Sequence, residues 1–288
     1  MKEEPFVFEA RKWASSFLSE HGREETAADW LLEHHLQLSR SQLLAASGEP
    51  VARQTWEQFQ QDVRIHAAGT PVQHLTGRSS FYDREFHVNA NVLIPRMETE
   101  ELVWYVIDWV QKNKDLKAPR IVDVGTGSGI IAVTLALEIP PARVQAVDID
   151  SRALEMAKQN AARLQAPVTF HQESFLEGMV LRKEKADVVV SNPPYIPKKE
   201  WEQLDPLVRD KEPAVALIGE GEEGIHSYEE IVKHAVDILA PGGLLAFEIG
   251  WQQGHSVKKA IEKAFPGKMV QVIKDLNGND RIVTVVNK

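Results

Sequence analysis

Between Ala186 and Pro197 the chain reads ADVVVSNPPYIP, so an apolar run ends abruptly in an asparagine, two prolines and a tyrosine. Proline has no backbone N–H and a fixed φ, so Pro193 and Pro194 cannot continue a sheet ladder, and the residue before a proline is pushed into an extended conformation. Asn192 is thereby held stiffly at a strand's end. Its side chain offers one carbonyl acceptor and one NH2 donor, and the proline pair adds backbone carbonyls with no N–H between them. The chemistry this suits is the holding of an NH2 group by a rigid cluster of acceptors. Asn-Pro is also an ordinary turn starter, so the stretch alone admits a plain strand exit.

A second constellation is Asp123-Val-Gly-Thr-Gly-Ser-Gly129, which follows a strand-like run and precedes a helical one. Such a loop brings a ligand to helix N-terminal N–H groups at the carboxyl edge of an open α/β sheet. The candidates are Gly125, Thr126, Gly127, Ser128 and Gly129. The spacing is GxGxG: Ile130 stands where a dinucleotide fingerprint needs Gly or Ala, and no Gly-Lys-Ser/Thr follows to make a phosphate loop. Asp148 ends the next strand-like run, 19 residues after Gly129. A carboxylate there suits the two hydroxyls of a ribose, and it also suits a loop cap. Asp150, before SRALEMAKQNA, reads as a helix cap. Phe175 could lie against an adenine ring or in the core.

These residues need a frame. From Arg120 onward strands (RIVDVG, RVQAVDI, VTFHQ, ADVVVSN, GGLLAFEIG) alternate with helices near 128–138, 151–165, 227–240 and 252–265, which predicts a parallel sheet covered by helices on both faces. The tail, MVQVIKDLNGNDRIVTVVNK, reads as two strands about an NGND turn, so the last pair is expected to be antiparallel. Residues 5–68 carry helical spacing, with Trp13, Phe17, Trp30, Leu31 and Leu32 on the shared apolar faces. FYDREFHVNANVLIP alternates around Asn89-Ala90-Asn91 and predicts a β-hairpin. METEELVWYVIDWVQKN then predicts an amphipathic helix with acids in its first turn. The expected division is a helical domain over 1–70, a hairpin connector over 71–95 and an α/β domain over 96–288.

Composition excludes several classes. The 288 residues contain no cysteine, which removes disulfides, thiolate metal sites and cysteine nucleophiles. His34 and His35 are expected on an exposed helix face, the ten histidines form no HExxH-like pattern, and no metal is expected. The longest apolar run, Ile130 to Leu137, is far short of the ~20 residues of a membrane span. The start MKEEPFVFEARKW lacks a signal-peptide core, so a cytoplasmic protein without membrane association is expected. A net charge of −9 makes non-specific attraction to a phosphate backbone an improbable main driver of binding.

The order DVGTGSG, AVDID, SNPPY resembles the Rossmann-like S-adenosylmethionine-dependent methyltransferases. More narrowly, PVQHLTG (Pro71 to Gly77), VLIPRMETEELV (Val92 to Val103), NPPYIP and EPAVAL (Glu212 to Leu217) are similar to the HemK family of protein-glutamine methyltransferases, which modify the Gly-Gly-Gln motif of class 1 peptide release factors. The chain departs from that family at Met97, where a second proline is usual. The resemblance implies S-adenosylmethionine as cofactor, held by the glycine loop, Asp148, Phe175 and Asn192. It implies a catalytic set of Asn192, Pro193 and Tyr195, with Pro194 also lining the substrate site. The implied partners are class 1 release factors, with no direct nucleic-acid binding and a monomeric state.

A glutamine amide is a poor nucleophile because its nitrogen lone pair is delocalised. The Asn192 side-chain oxygen and the Pro193 carbonyl can each accept one of its N–H bonds and aim the nitrogen at a sulfonium methyl, with Tyr195 against the amide plane. An enzyme methylating exocyclic amines of RNA or DNA can use the same clamp, and so can one acting on a ribosomal protein's glutamine. A non-catalytic module keeping the fold is the remaining alternative. Residues 1–75 hold 7 Lys or Arg against 11 Asp or Glu, a net of −4, which is no footprint for nucleic acid.

Overall fold

The computed structural model describes residues 4–203, 209 and 211–288. Among the described residues two units emerge, one running to Arg78 and taking in Arg209 and Lys211, and one formed by 79–203 and Glu212–Lys288. The first is helical: α1 (Val7–Glu20), α2 (Ala27–Leu36), α3 (Arg40–Ala45), α4 (Arg53–Ala67) and α5 (Val72–Thr76). Val7, Ala10, Ala14 and Leu18 recur at helical spacing on α1 and are buried with Leu31, Leu32, Phe59 and Val63. Trp13 stacks on Phe17 at 5.6 Å and meets Trp56 edge-on at 5.1 Å. Trp30 departs from expectation. It is 41% exposed, because one residue's rotation carries it off the face that Leu31 occupies. His34 and His35 depart in the other direction and are half-buried. His35 lies four residues after Leu31, on the same face, and its Nε2 meets Asp62 Oδ2 at 2.8 Å.

Strands β1 (Arg78–Phe81) and β2 (Arg84–His87) form a two-stranded sheet. Its turn lies at Tyr82 and Asp83, not at Asn89-Ala90-Asn91. Both turn residues are left-handed, φ 50° and 56°, which is the backbone that matches the twist of a two-residue hairpin. Asn89 instead folds the chain after β2, its Oδ1 accepting from Asn91 N at 2.9 Å.

The remaining elements are α6 (Glu98–Lys112), β3 (Arg120–Val124), α7 (Ile130–Glu138), β4 (Arg143–Asp148), α8 (Ser151–Leu164), β5 (Val168–Gln172), α9 (Glu177–Leu181), β6 (Ala186–Ser191), β7 (Ile196–Pro197), β8 (Ile218–Gly219), α10 (His226–Ile238), β9 (Leu239–Glu248), α11 (Gly254–Ala264), β10 (Val270–Lys274) and β11 (Asp280–Val286). A seven-stranded sheet runs in the order β10-β11-β9-β6-β3-β4-β5. From β9 to β5 the pairs are parallel, while β11 is antiparallel to both β9 and β10. Alternate residues point to opposite faces. Ile121, Val188, Val190, Leu244 and Ala246 pack with α6 and α7, and Val122, Val189, Leu245 and Phe247 pack with α10 and α11. The fold is a Rossmann-like, mostly parallel sheet between two helical layers.

Candidate functional site

Strand order reverses at β3, whose neighbours are β4 and β6, and ligands of open α/β sheets bind at such a reversal beyond the carboxyl ends of the strands. Val124 of β3 pairs with Ser191 of β6, and Ser191 Oγ donates to Val124 O at 2.6 Å. The glycine loop therefore begins beside Asn192, each one residue past its strand.

Gly125 and Gly127 have φ of 71° and 56°, and a Cβ on either would meet no atom within 4 Å. Their conformation demands glycine, and the space above the loop is open. Gly129 differs: with φ 85°, a Cβ there would sit 3.0 Å from Ala157 Cβ on α8, so glycine also permits close helix packing. Thr126 and Ser128 are buried. Asn160 of α8 fixes the loop from behind, donating to Ser128 O and His87 O, each at 2.9 Å, and accepting from His87 N at 2.7 Å.

Asp148 takes the Gly127 N–H on Oδ2 and the Asp150 N–H on Oδ1, both at 2.9 Å. Burial pushes its carboxyl above the usual range although these bonds oppose it. The carboxylate thus orders the loop and keeps unused lone pairs on both oxygens. Asp150 caps α8, accepting from Arg152 N at 2.8 Å. Beneath the loop, Asp123 is fully buried and accepts from Thr126 Oγ1 at 2.6 Å and Ala132 N at 3.2 Å. Among the described residues its Oδ1 has no partner, and desolvation raises its carboxyl to about 7. Phe175 is half-buried against the α10–α11 side of the core, in the left-handed region at φ 47°.

The NPPY stretch is locked by several partners. Asn192 Nδ2 donates to Thr99 Oγ1 of α6 at 3.1 Å. Pro193 is buried, Pro194 and Tyr195 are half-buried, and burial, reinforced by the charge of Glu248, pushes the Tyr195 phenol up to about 12. Gln253 donates through Nε2 to Tyr195 O at 2.8 Å and Glu223 O at 2.7 Å while its Oε1 accepts from Gly250 N at 3.1 Å. Beyond Tyr195 the chain resumes pairing: Ile196 of β7 lies opposite Ile218 of β8, and Ile196 N donates to Leu217 O at 2.9 Å. Glu212 accepts from Ile94 N at 3.1 Å and from Arg96 Nη2 at 2.6 Å. Met97 precedes α6 with φ −65°, the value a proline would impose, and its side chain is 81% exposed, so the departure from the usual proline leaves the local path unchanged.

Glu248, at the end of β9, is 1% exposed. Desolvation raises its carboxyl to about 7 against the polar hydrogens of Thr99 and Asn192 and the positive charge of Arg281, while Glu98 repels it. Asp123, Thr99, Asn160, Glu248 and Gln253 escape the sequence reading as site residues. The signal for the two acids is an isolated carboxylate in an otherwise apolar strand. Thr99, Asn160 and Gln253 lie on helices or at a helix start and carry no local mark. Among the described residues no group of three or more His, Asp or Glu could hold a metal ion, and no helix is long and apolar enough to cross a membrane.

The PrmC N-terminal domain family matches residues 9–77, and the methyltransferase small domain family matches residues 106–208. A release factor glutamine methyltransferase of Bacillus subtilis is 46% identical over 279 residues, covering 96% of each chain. That of Enterococcus faecalis is 38% identical, covering 96% of this chain and 97% of its own. Among solved structures, a methyltransferase from Pyrococcus furiosus aligns with a TM-score of 0.51 at 17% identity, covering 79% of this chain and 98% of its own, which speaks for the fold alone. With relatives this similar over almost their whole length, the chain belongs to the release factor glutamine methyltransferase family, whose members use S-adenosylmethionine as methyl donor.

Proposed function

We propose that this enzyme methylates the side-chain amide nitrogen of the glutamine in the Gly-Gly-Gln motif of class 1 peptide release factors, and so acts in translation termination. The observation that carries the reading is the Val124–Ser191 register, which puts the glycine loop and the Asn192 acceptors at one sheet edge. The pocket residues fit the cofactor. Open space lies above Gly125 and Gly127, Asp123 keeps an unpartnered carboxylate oxygen beneath the loop, and Asp148 retains acceptor capacity for ribose hydroxyls. S-adenosylmethionine, when bound, supplies an electrophilic methyl on a sulfonium. Gly125 to Gly129, Asp148, Phe175 and Asn192 are the residues assigned to hold it.

Asn192 Oδ1 and the Pro193 carbonyl accept the two N–H bonds of the substrate amide, with Tyr195 against its plane and Pro194 beside it. That grip aims the nitrogen and favours its pyramidalisation as the N–C bond forms and the C–S bond breaks. The methylated nitrogen is a strong acid and loses its proton to solvent or a neighbouring acceptor. The acidic helical unit is assigned to recognising the basic surface of an RNA-binding release factor. The site works in the cytoplasm, on a monomer, without direct contact to nucleic acid.

The test is transfer of labelled methyl to a purified release factor, to the same factor with its motif glutamine changed to alanine, and to bulk RNA and DNA. Label on the first alone, lost with the alanine, is the expected result. Label on nucleic acid would overturn the assignment.

A further inference from the structure

We propose that Glu248 is a positioning residue that decides which way round the Asn192 side-chain amide faces. The inference rests on the substrate reading given above, because it concerns the acceptor that reading assigns to Asn192.

An asparagine amide has two orientations of similar shape, differing by exchange of its oxygen and its NH2 group. Only one of them serves the clamp. With NH2 turned inward, to Thr99 Oγ1 at 3.1 Å, the oxygen is left for the substrate. Turned the other way, the amide would offer the substrate two more N–H groups, and a substrate NH2 has no use for them. Thr99 cannot make the choice alone, since a hydroxyl both donates and accepts.

Glu248 can make it. An ionised carboxylate is acceptor-only, so it repels an inward-facing amide oxygen and attracts an inward-facing NH2. The carboxyl is 1% exposed and lies against both Thr99 and Asn192. Among the described residues its Oε2 has no hydrogen-bond partner, a state that buried carboxylate oxygens rarely show without a reason. The surrounding charges and phenols are those of Glu98 on α6, Tyr195 after β6, Tyr228 on α10 and Arg281 on β11. Arg281 is the sole cation in that set, and it is shared with Asp275 at 3.1 Å. Tyr228 is committed elsewhere, its hydroxyl donating to the Glu248 backbone carbonyl at 3.0 Å.

The lever is therefore protonation. Burial raises this carboxyl to about 7, so the charged form prevails above neutrality and the neutral form below it. A neutral acid can donate to an inward-facing amide oxygen, which removes the preference. Methyl transfer should fall as pH drops through about 7, and the fall should disappear when Glu248 can no longer titrate.

The test compares the wild-type enzyme with Glu248→Gln, which keeps shape and removes the titration. The first readout needs no substrate: the nitrogen-15 signals of the Asn192 side-chain NH2, assigned by their absence in Asn192→Ala, should titrate near pH 7 in the wild type and stay flat in Glu248→Gln. The second readout is kcat on a Gly-Gly-Gln peptide. It should be about tenfold lower in Glu248→Gln at about pH 8, the factor carried by one hydrogen bond of ordinary strength, and the two enzymes should converge at about pH 6. Thr99→Val, which keeps the carboxylate and removes the amide's inward partner, should lower kcat at both pH values with cofactor affinity unchanged.

Side-chain signals that do not move with pH would overturn the inference, and so would a wild-type kcat in either variant. A uniform loss at both pH values in Glu248→Gln would also overturn it, by marking a structural role. If the wild type leaves the peptide unmethylated, the substrate reading fails while the NH2 titration still decides the role of Glu248.

Discussion

Arg96 and Glu212 lie 116 residues apart in sequence, yet the arginine's Nη2 stands 2.6 Å from the Glu212 Oε1. The second carboxylate oxygen takes the Ile94 N–H, so one buried acid fastens the segment entering α6 to the segment that becomes β8. Because β8 pairs with β7 directly after Tyr195, this fastening bears on the NPPY stretch from its far side. The IPRMETE and EPAVAL stretches are two halves of one brace.

The brace is asymmetric, and its two ends should respond differently. Glu212→Ala removes both bonds and leaves a buried N–H unsatisfied, so it should destabilise by about 2–3 kcal/mol. Arg96→Ala keeps the Ile94 bond but leaves a carboxylate that is 2% exposed without its counter-charge, so it should cost at least as much, about 3 kcal/mol. Urea unfolding of the two single variants and the double variant checks the order. A cost for Arg96→Ala well below that of Glu212→Ala would mean that the stranded carboxylate finds another way to be compensated.

Asn192→Ala should lose methyl transfer far more than cofactor binding, because the clamp acts on the acceptor amide. The sequence alone makes Asn192→Asp the milder change, since a carboxylate still accepts. The structure reverses that order: an aspartate has no NH2 to give Thr99 and would set a second negative charge toward buried Glu248. Both variants should lose far less S-adenosylmethionine affinity than turnover, at most about tenfold, the contribution of the one ordinary hydrogen bond that Asn192 is assigned to give the cofactor. At about pH 8 Asn192→Asp should be no more active than Asn192→Ala, as single-turnover rates would establish; substantial activity in the aspartate variant would remove Glu248 from the neighbourhood that matters.

What the sequence makes legible is what is local. The glycine loop, the Asp150 cap and the stiff exit at Asn192 follow from single-residue backbone preferences. The parallel strands follow from apolar runs alternating with helical spacing. The sequence points the hairpin turn to Asn89-Ala90-Asn91, which looks like turn chemistry and serves as a bend after β2, because Tyr82-Asp83 is not a common left-handed pair. Trp30 and His35 exchange their expected exposures because a shift of one residue on a helix rotates a side chain by about 100°. The supporting shell of Thr99, Glu212, Glu248 and Gln253 was beyond reach, since each acts through a partner far away in sequence.

Asp148→Ala should weaken S-adenosylmethionine binding by about 1.5–3 kcal/mol, the range for a hydrogen bond to a charged group. The Gly127 and Asp150 N–H groups lose their acceptor in the same variant, so loop disorder adds to the loss. Asp148→Asn separates the two contributions, because its carbonyl can still hold the Gly127 N–H while it offers a ribose one acceptor fewer. Calorimetry should place the asparagine variant between alanine and wild type. Unchanged affinity in the alanine variant would withdraw the ribose assignment.

Among the described residues, the core of the helical unit is built from Val7 to Leu75 and the cores of the α/β unit from residues after Arg78. Removing residues 1–78 should therefore leave the catalytic sheet folded and its affinity for S-adenosylmethionine intact. The surface lost is acidic, a net of −4 over residues 1–75, and a factor that binds RNA carries basic surface that such a unit can attract. If that attraction is its purpose, the shortened enzyme should methylate an intact release factor poorly and a short Gly-Gly-Gln peptide much as the whole enzyme does. The difference between the two enzymes on the intact factor should shrink as salt rises, since exposed charges about a Debye length apart are screened near 0.1 M salt. Equal loss on peptide and protein would point to a structural role for the unit, and undiminished activity on the intact factor would exclude it from partner recognition.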